Sequence, residues 1–133
     1  MFIMTINDLE EGVNRIIFTG DCLFEGGVGM FLEGVPEQMA TCLDNLFTSR
    51  VTDSHDRCAL FFGHDYGFKN YIWAADHCLG EKTISKNTDQ ASAFKEKIVA
   101  RKVALLERRR AGFASTGTLL SEEMKTNLFL IAH

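Results

Sequence analysis

Apolar residues along this chain change spacing several times, and each change predicts an element. The opening Phe2-Ile3-Met4 and the later Ile16-Ile17-Phe18 flank the polar turn Asn7–Gly12, which predicts a hairpin of strands over 1–6 and 15–19. After Val35-Pro36-Glu37 the period lengthens. Met39, Cys42, Leu43, Leu46 and Phe47 recur at i, i+3, i+4, i+7 and i+8, one apolar face of a helix. Its proline stands at the first helical position, where no hydrogen bond is lost, and Glu37 suits the positive end of the helix dipole. Cys58–Phe62 is apolar without interruption, which predicts a strand buried on both faces. Strand, helix and strand at these lengths predict a right-handed βαβ unit with parallel strands, and hence an α/β fold.

After the polar segment Gly80–Asp89, residues Gln90–Arg110 read as one long helix that Ala111-Gly112 ends. Its stripe is Ala91, Phe94, Ile98 and Leu105, flanked by Val99, Val103 and Leu106. The opposite face carries seven cations against two anions, a net +5, so the remaining chain carries −9. A solvated face with cations near the helix C-terminus accounts for this, and no exposed aromatics interleave to suggest RNA.

Composition narrows the class. A length of 133 residues suits one domain with a real core, and 46% hydrophobic with 24% charged residues is ordinary for a globular chain. Eleven Phe residues imply a thick core or an apolar surface for a partner. A net charge of −4 argues against nucleic acid or an anionic membrane as partner. No apolar run approaches the roughly 20 residues of a membrane span, and Met1–Ile6 lacks the basic start of a signal peptide. Cys22, Cys42, Cys58 and Cys78 form no Cys-x-x-Cys pair, so they predict neither a zinc knuckle nor a disulfide framework. The compartment implied is reducing and intracellular, cytoplasmic or else mitochondrial.

The candidate chemistry sits where the two parallel strands end. Asp21 follows the first strand beside the permissive backbone of Gly26, Gly27 and Gly29, and Gly63-His64 follows the second. Parallel strands place both residues at one sheet edge. A carboxylate and an imidazole together suit zinc or iron. His55 beside Asp56 reads as an ordinary surface histidine, and His77 as structural.

The same residues carry a resemblance. Thr19-Gly20-Asp21-x-Leu23-Phe24, then Gly26-Gly27-x-Gly29-x-Phe31-x-Glu33-Gly34, resembles glyoxalase II (hydroxyacylglutathione hydrolase) of the metallo-β-lactamase superfamily. Gly63-His64-Asp65-Tyr66, continuing through Lys69-Asn70 and Ala74, resembles the family's Gly-His-Glu-Tyr segment. Ser115–Glu123 leading into Asn127-Leu128-Phe129 resembles the carboxyl-terminal signature, with Leu128 in place of proline. The resemblance implies that Asp21 is a carboxylate bridging two metal ions and that His64 is a metal ligand. It also implies zinc or iron as cofactor, and Gly29, Phe31 and Tyr66 in a thiol-substrate pocket. The implied fold is a partial metallo-β-lactamase (αββα) architecture. Residues 1–80 would be the carboxyl-terminal half of the domain, and 81–133 a helical carboxyl-terminal region.

Two departures qualify the implied activity. The family's Thr-His-x-His-x-Asp-His element appears nowhere, and only His55, His64, His77 and His133 are present. A catalytic zinc takes about three protein ligands, so the chain is expected to be inactive alone. Met30 and Leu32 replace a basic residue and a tyrosine of the family's loop, which removes groups that hold glutathione carboxylates. Three readings follow: part of a thioester hydrolase acting on S-2-hydroxyacylglutathione or a related thiol conjugate; a non-enzymatic interaction module; or a persulfide dioxygenase-like fragment. A homodimer, or a partner supplying the missing half, is expected from the unpaired edge and apolar inner face that half a sandwich exposes.

Overall fold

The computed structural model describes residues 1–5, 12–30, 32–49, 57–78, 88–114 and 117–131. The predicted hairpin is present as β1 (Phe2–Thr5) and β2 (Arg15–Gly20), paired antiparallel with Ile3 opposite Ile17. A small ribbon of β3 (Leu23–Phe24) and β4 (Gly27–Val28) follows directly. The helix α1 (Pro36–Ser49) then leads to β5 (Cys58–Phe62), which pairs parallel with β2. Gln38 fixes the start of α1. Its side-chain Oε1 accepts the Val35 N–H at 3.1 Å, and its own N–H donates to the Val35 carbonyl at 3.0 Å. The βαβ unit is therefore as the sequence predicts.

The chain continues through α2 (Gly67–Trp73), a π-helical turn at Ala74–Cys78, and α3 (Thr88–Arg110). It then re-enters the sheet. A three-residue strand, β6 (Gly117–Leu119), pairs antiparallel with β5, so the sheet order is β1-β2-β5-β6 and its directions are mixed. Sequence periodicity does not predict β6, because three residues are too few to show a period. Two short helices, α4 (Leu120–Thr126) and α5 (Leu128–Ile131), close the described chain.

Strand alternation divides the sheet into two unlike faces. Ile17, Cys58, Leu60 and Phe62 point inward and join Leu23, Phe24, Leu43 and Leu120 in the main core. A second cluster, Tyr71, Ala74, Ile98 and Leu105, packs α2 on α3. On the other face Phe2, Phe18 and Phe61 form a ladder with ring centroids 6.3 and 5.7 Å apart, at 64%, 43% and 40% exposure. The expectation that Cys58–Phe62 is buried on both faces is thus corrected. Its burial alternates, because the described core clusters gather on one face of the sheet. An apolar run reports that both faces are apolar, not that both are covered.

The helix stripes hold in part. Ile98 and Leu105 are fully buried, whereas Val99 and Val103 are exposed. The side chains of Leu46, Phe47 and Ala91 lie outside the described residues, as do His55, Phe31 and His133 and the side chain of His77.

Candidate functional site

Asp21 and His64 do meet. β2 and β5 run parallel to their ends, where the Gly63 N–H donates to the Gly20 carbonyl at 2.9 Å and extends the pairing one step past the strands. The next residue on each side delivers the functional side chain. His64 Nε2 lies 3.5 Å from Asp21 Oδ1, and both side chains are more than half exposed. The contact becomes ionic when the imidazole is protonated. Both groups are thus presented to solvent with unused coordinating capacity.

Glycines make this approach feasible. A Cβ on Gly63 would stand 2.5 Å from Asp21 Oδ1, and one on Gly29 would stand 1.9 Å from the Asp21 carbonyl oxygen. Gly29 is buried, and its N–H donates to the Cys22 carbonyl at 3.2 Å. That hydrogen bond closes the turn that carries Asp21. Thr19, buried just before that turn, donates its hydroxyl to the Leu23 carbonyl at 2.7 Å and holds the ribbon against the sheet.

Tyr66 stacks on His64 with centroids 4.9 Å apart and planes 16° from parallel. Phe24 meets the Tyr66 ring edge-on at 5.1 Å. An aromatic wall therefore stands on one side of the Asp21–His64 edge. A cleft of about 330 Å³ adjoins Asp21, and its lining includes Cys22, Met30, Glu33, Met39 and Cys42. Met30 and Leu32 are each 82% exposed, so apolar side chains stand in solvent where the resemblance led to the expectation of a basic residue and a tyrosine.

A catalytic metal would need more donors than this edge holds. Among the described residues no group of three or more His, Cys, Asp or Glu side chains could hold an ion. Asp21 and His64 make two donors, fewer than the roughly three a catalytic zinc takes from protein. The described residues do not by themselves fit a catalytic metal centre.

Behind the loop lies a buried ionic network that the residue pattern does not announce. Glu25 and Glu123 are both fully buried. Arg101 of α3 pairs with Glu25 and also donates to Thr118 Oγ1 at 2.7 Å on β6. Glu123 Oε2 accepts the Gly26 N–H at 2.8 Å and the Asn127 side-chain amide at 3.0 Å. Tyr71 shares a 2.6 Å hydrogen bond with the Thr126 hydroxyl, which also lies 2.9 Å from the Glu122 carbonyl. Burial first, and then Glu123, pushes the Tyr71 phenol far up. Asn70 donates to the Glu25 carbonyl at 2.9 Å. The carboxyl-terminal helices are therefore bolted to the glycine-rich ribbon next to the site. The expectation of a solvated cationic face on α3 needs correction at Arg101, while Arg108 and Arg109 keep partly exposed positions in the last turn and make surface contacts. Arg101 points inward, Arg108 donates to the Ala114 carbonyl at 3.1 Å, and Arg109 lies 3.8 Å from Asp65 and over the Phe68 ring. Only the signature residues near Asn127 offered a sequence signal for this network.

Glu123 gives the network a pH dependence. Burial, the largest cause, pushes its carboxyl from the ordinary 4.5 up to about 7, against the Gly26 N–H that favours the charged form. Between those values the folded chain holds a proton that the unfolded chain has released. The stability this group contributes is complete below pH 4.5 and is lost as pH rises through 7. The linked change is on the order of 3 kcal/mol, at about 1.36 kcal/mol per unit. Glu123→Gln should remove it: the difference in urea midpoint between variant and parent should move in the variant's favour from about pH 4.5 to 8. A pH-independent difference would rule out titration of Glu123 in this range.

No protein-family model matches the chain. It is 33% identical to a hydroxyacylglutathione hydrolase of Prochlorococcus marinus over 125 residues, 92% of this chain and 41% of that protein. It is 35% identical over 122 residues to the protein of the same name from Prochlorococcus marinus strain MIT 9301, 92% of this chain and 42% of that protein. It is also 31% identical over 121 residues to a cytoplasmic hydroxyacylglutathione hydrolase of Arabidopsis thaliana, 91% of this chain and 40% of that protein. The chain spans about 40% of the length of these relatives. Among the described residues no helix is long and apolar enough to cross a membrane. Over about nine-tenths of its length the chain is homologous to hydroxyacylglutathione hydrolases, consistent with the carboxyl-terminal half of glyoxalase II.

Proposed function

We propose that this chain is the carboxyl-terminal portion of a glyoxalase II-type thioester hydrolase. It contributes Asp21 and His64 to a site whose remaining metal ligands lie outside this sequence. The observation that carries the reading is the 3.5 Å approach of Asp21 and His64 at the ends of two parallel strands, with glycines at the two positions where a Cβ would block it. The substrate class is an S-2-hydroxyacyl conjugate of glutathione or a related thiol, and the metal zinc or iron. Tyr66, stacked on His64, would border the thiol. The apolar loop residues Met30 and Leu32 favour a conjugate with fewer carboxylates than glutathione. The partial αββα architecture, residues 1–80 followed by the carboxyl-terminal region 81–133, belongs to this proposal, as does a cytoplasmic setting.

The open sheet face supports the need for a partner. Phe2, Met4, Phe18 and Phe61 are exposed together, and such patches on a monomer mark an interface. A second half supplied by a partner, or a second copy of this chain, would cover them. That same face is the observation that favours the alternative, an interaction module without catalysis.

Metal content decides between these. The purified chain should hold little zinc or iron alone, and approach stoichiometric metal once an amino-terminal half of a relative is supplied in trans. Asp21→Ala/His64→Ala should abolish the gain, and thioester hydrolysis should rise with the metal. Association without metal uptake would sink the enzymatic reading and leave the interaction module. A folded, soluble monomer that ignores the added half would sink both.

A further inference from the structure

We propose that the cleft between α3 and α4 binds a small oxyanion, a phosphate or a carboxylate, at a site separate from the Asp21–His64 edge. The cleft holds about 390 Å³, and its lining includes Lys97, Ala100, Arg101 and Ala104 on α3 with Glu122 and Lys125 on α4. Helical spacing explains the cavity. The four α3 residues stand at i, i+3, i+4 and i+7, one face of that helix, and the two α4 residues stand at i and i+3. Ala100 and Ala104 leave open the space that longer side chains on this face would fill. The cleft shares no lining residue with the one beside Asp21, so nothing in this inference depends on a metal or a thioester.

Three cations meet one carboxylate in this lining. Lys97 is exposed on the α3 wall and makes no ion pair among the described residues. Lys125 stands on the α4 wall, 2.9 Å from Glu122, and both side chains are about half exposed. An exposed pair of this kind contributes little, so Lys125 can turn to a bound anion at small cost. Arg101 supplies an independent observation. Its Nη2 makes the contacts to Glu25 and Thr118, whereas its Nε–H is buried with no hydrogen-bond partner among the described residues. Buried donors are rarely left unpaired, because an unmade hydrogen bond costs free energy. An acceptor oxygen in the cleft that Arg101 lines would satisfy it, directly or through one water. Glu25 already offsets the Arg101 charge, so Lys97 and Lys125 are the cations that attract the ligand, and the guanidinium adds a donor.

The consequence falls on the buried network. α3 carries Arg101 to Glu25 of the ribbon, and α4 carries Glu123 to the Gly26 N–H. An anion held between Lys97 and Lys125 would bridge the same two helices. A ligand that binds only the folded chain raises its stability, and at one hundred times the dissociation constant the Tm should rise by about 5–10 °C.

The test titrates the whole chain with inorganic phosphate and, in a second arm, with succinate, each against sodium chloride at matched ionic strength. The expected result is a saturable rise in Tm that chloride does not give. A rise with phosphate alone identifies a phosphoryl ligand, and a rise with succinate alone a carboxylate. Lys97→Ala/Lys125→Ala should abolish the rise. Lys95→Ala/Lys102→Ala removes the same charge from positions outside the cleft lining and should keep it. Amide shifts in a nitrogen-15 correlation spectrum should move together, with one dissociation constant, at Ala100, Ala104 and Thr126. No rise with either anion, an equal rise in chloride, or equal losses in the two double variants would overturn the proposal, as would amide shifts centred on Asp21. Should a double variant fail to fold, the amide map of the unsubstituted chain still decides.

Discussion

Gly29→Ala should cost on the order of 3 kcal/mol or more of stability, a large share of the roughly 5–15 kcal/mol that holds a domain of this size. The reason is steric rather than conformational. Gly29 is not among the positive-φ glycines, yet a Cβ there would meet the Asp21 backbone oxygen at 1.9 Å. No side-chain rotation can relieve a collision with backbone. The turn must open, which breaks the Gly29–Cys22 hydrogen bond and shifts Asp21 away from His64. Gly20→Ala is the internal control. Gly20 has φ of 56° with nothing within 4 Å of the added carbon, so it should cost only the about 1–2 kcal/mol of a left-handed residue. Urea unfolding followed by far-ultraviolet circular dichroism measures both. Equal losses at the two positions would remove the close packing of Gly29 against Asp21 as an explanation.

Arg101→Met should destabilise by about 3–5 kcal/mol, because it withdraws the cation from a carboxylate that stays buried. Burial works against the Arg101 charge, but Glu25, and behind it Tyr71 and Glu123, hold its pKa raised. Removing the guanidinium leaves Glu25 and Glu123, both fully buried, without that compensation, and it also breaks the contact to Thr118 on β6. Glu25→Gln added to Arg101→Met should recover part of the loss, since a neutral amide needs no counter-charge. A single variant that loses under about 1 kcal/mol, or a double variant no better than the single, would show that the pair does not carry the network's stability. Because Arg101 links α3, the ribbon and β6, hydrogen exchange should also speed up at the glycine-rich segment in the single variant.

Much of the scaffold was legible in the residue pattern. The Ile16-Ile17-Phe18 run, the 3.6-residue spacing of α1 and the apolar Cys58–Phe62 strand encode local structure through side-chain period, and the handedness of crossovers does the rest. From these follows the placement of Asp21 and His64 at one sheet edge, since parallel strands of one unit end together. Other features had no local signature. β6 is three residues long. Arg101 finds Glu25 across 76 positions, and a cation amid other cations on a helix reads as solvated until its neighbours are known. Glu123 looks like one more acid in a polar segment, although α4 carries it into a site where Gly26 and Asn127 supply its partners.

The division has one physical cause. The sequence by itself determined what short-range sterics and periodicity control: a hairpin, a βαβ unit, a long third helix, and two polar side chains at one sheet edge. Tertiary structure alone decided which apolar face is covered and which charges are desolvated. Those depend on contacts between residues far apart in the chain, where burial and dielectric are properties of the assembled neighbourhood and of no residue alone. Leu60 and Phe61 are neighbours of nearly equal hydrophobicity. Leu60 lies in the core and Phe61 in the open ladder because the described core clusters pack against only one side of the sheet.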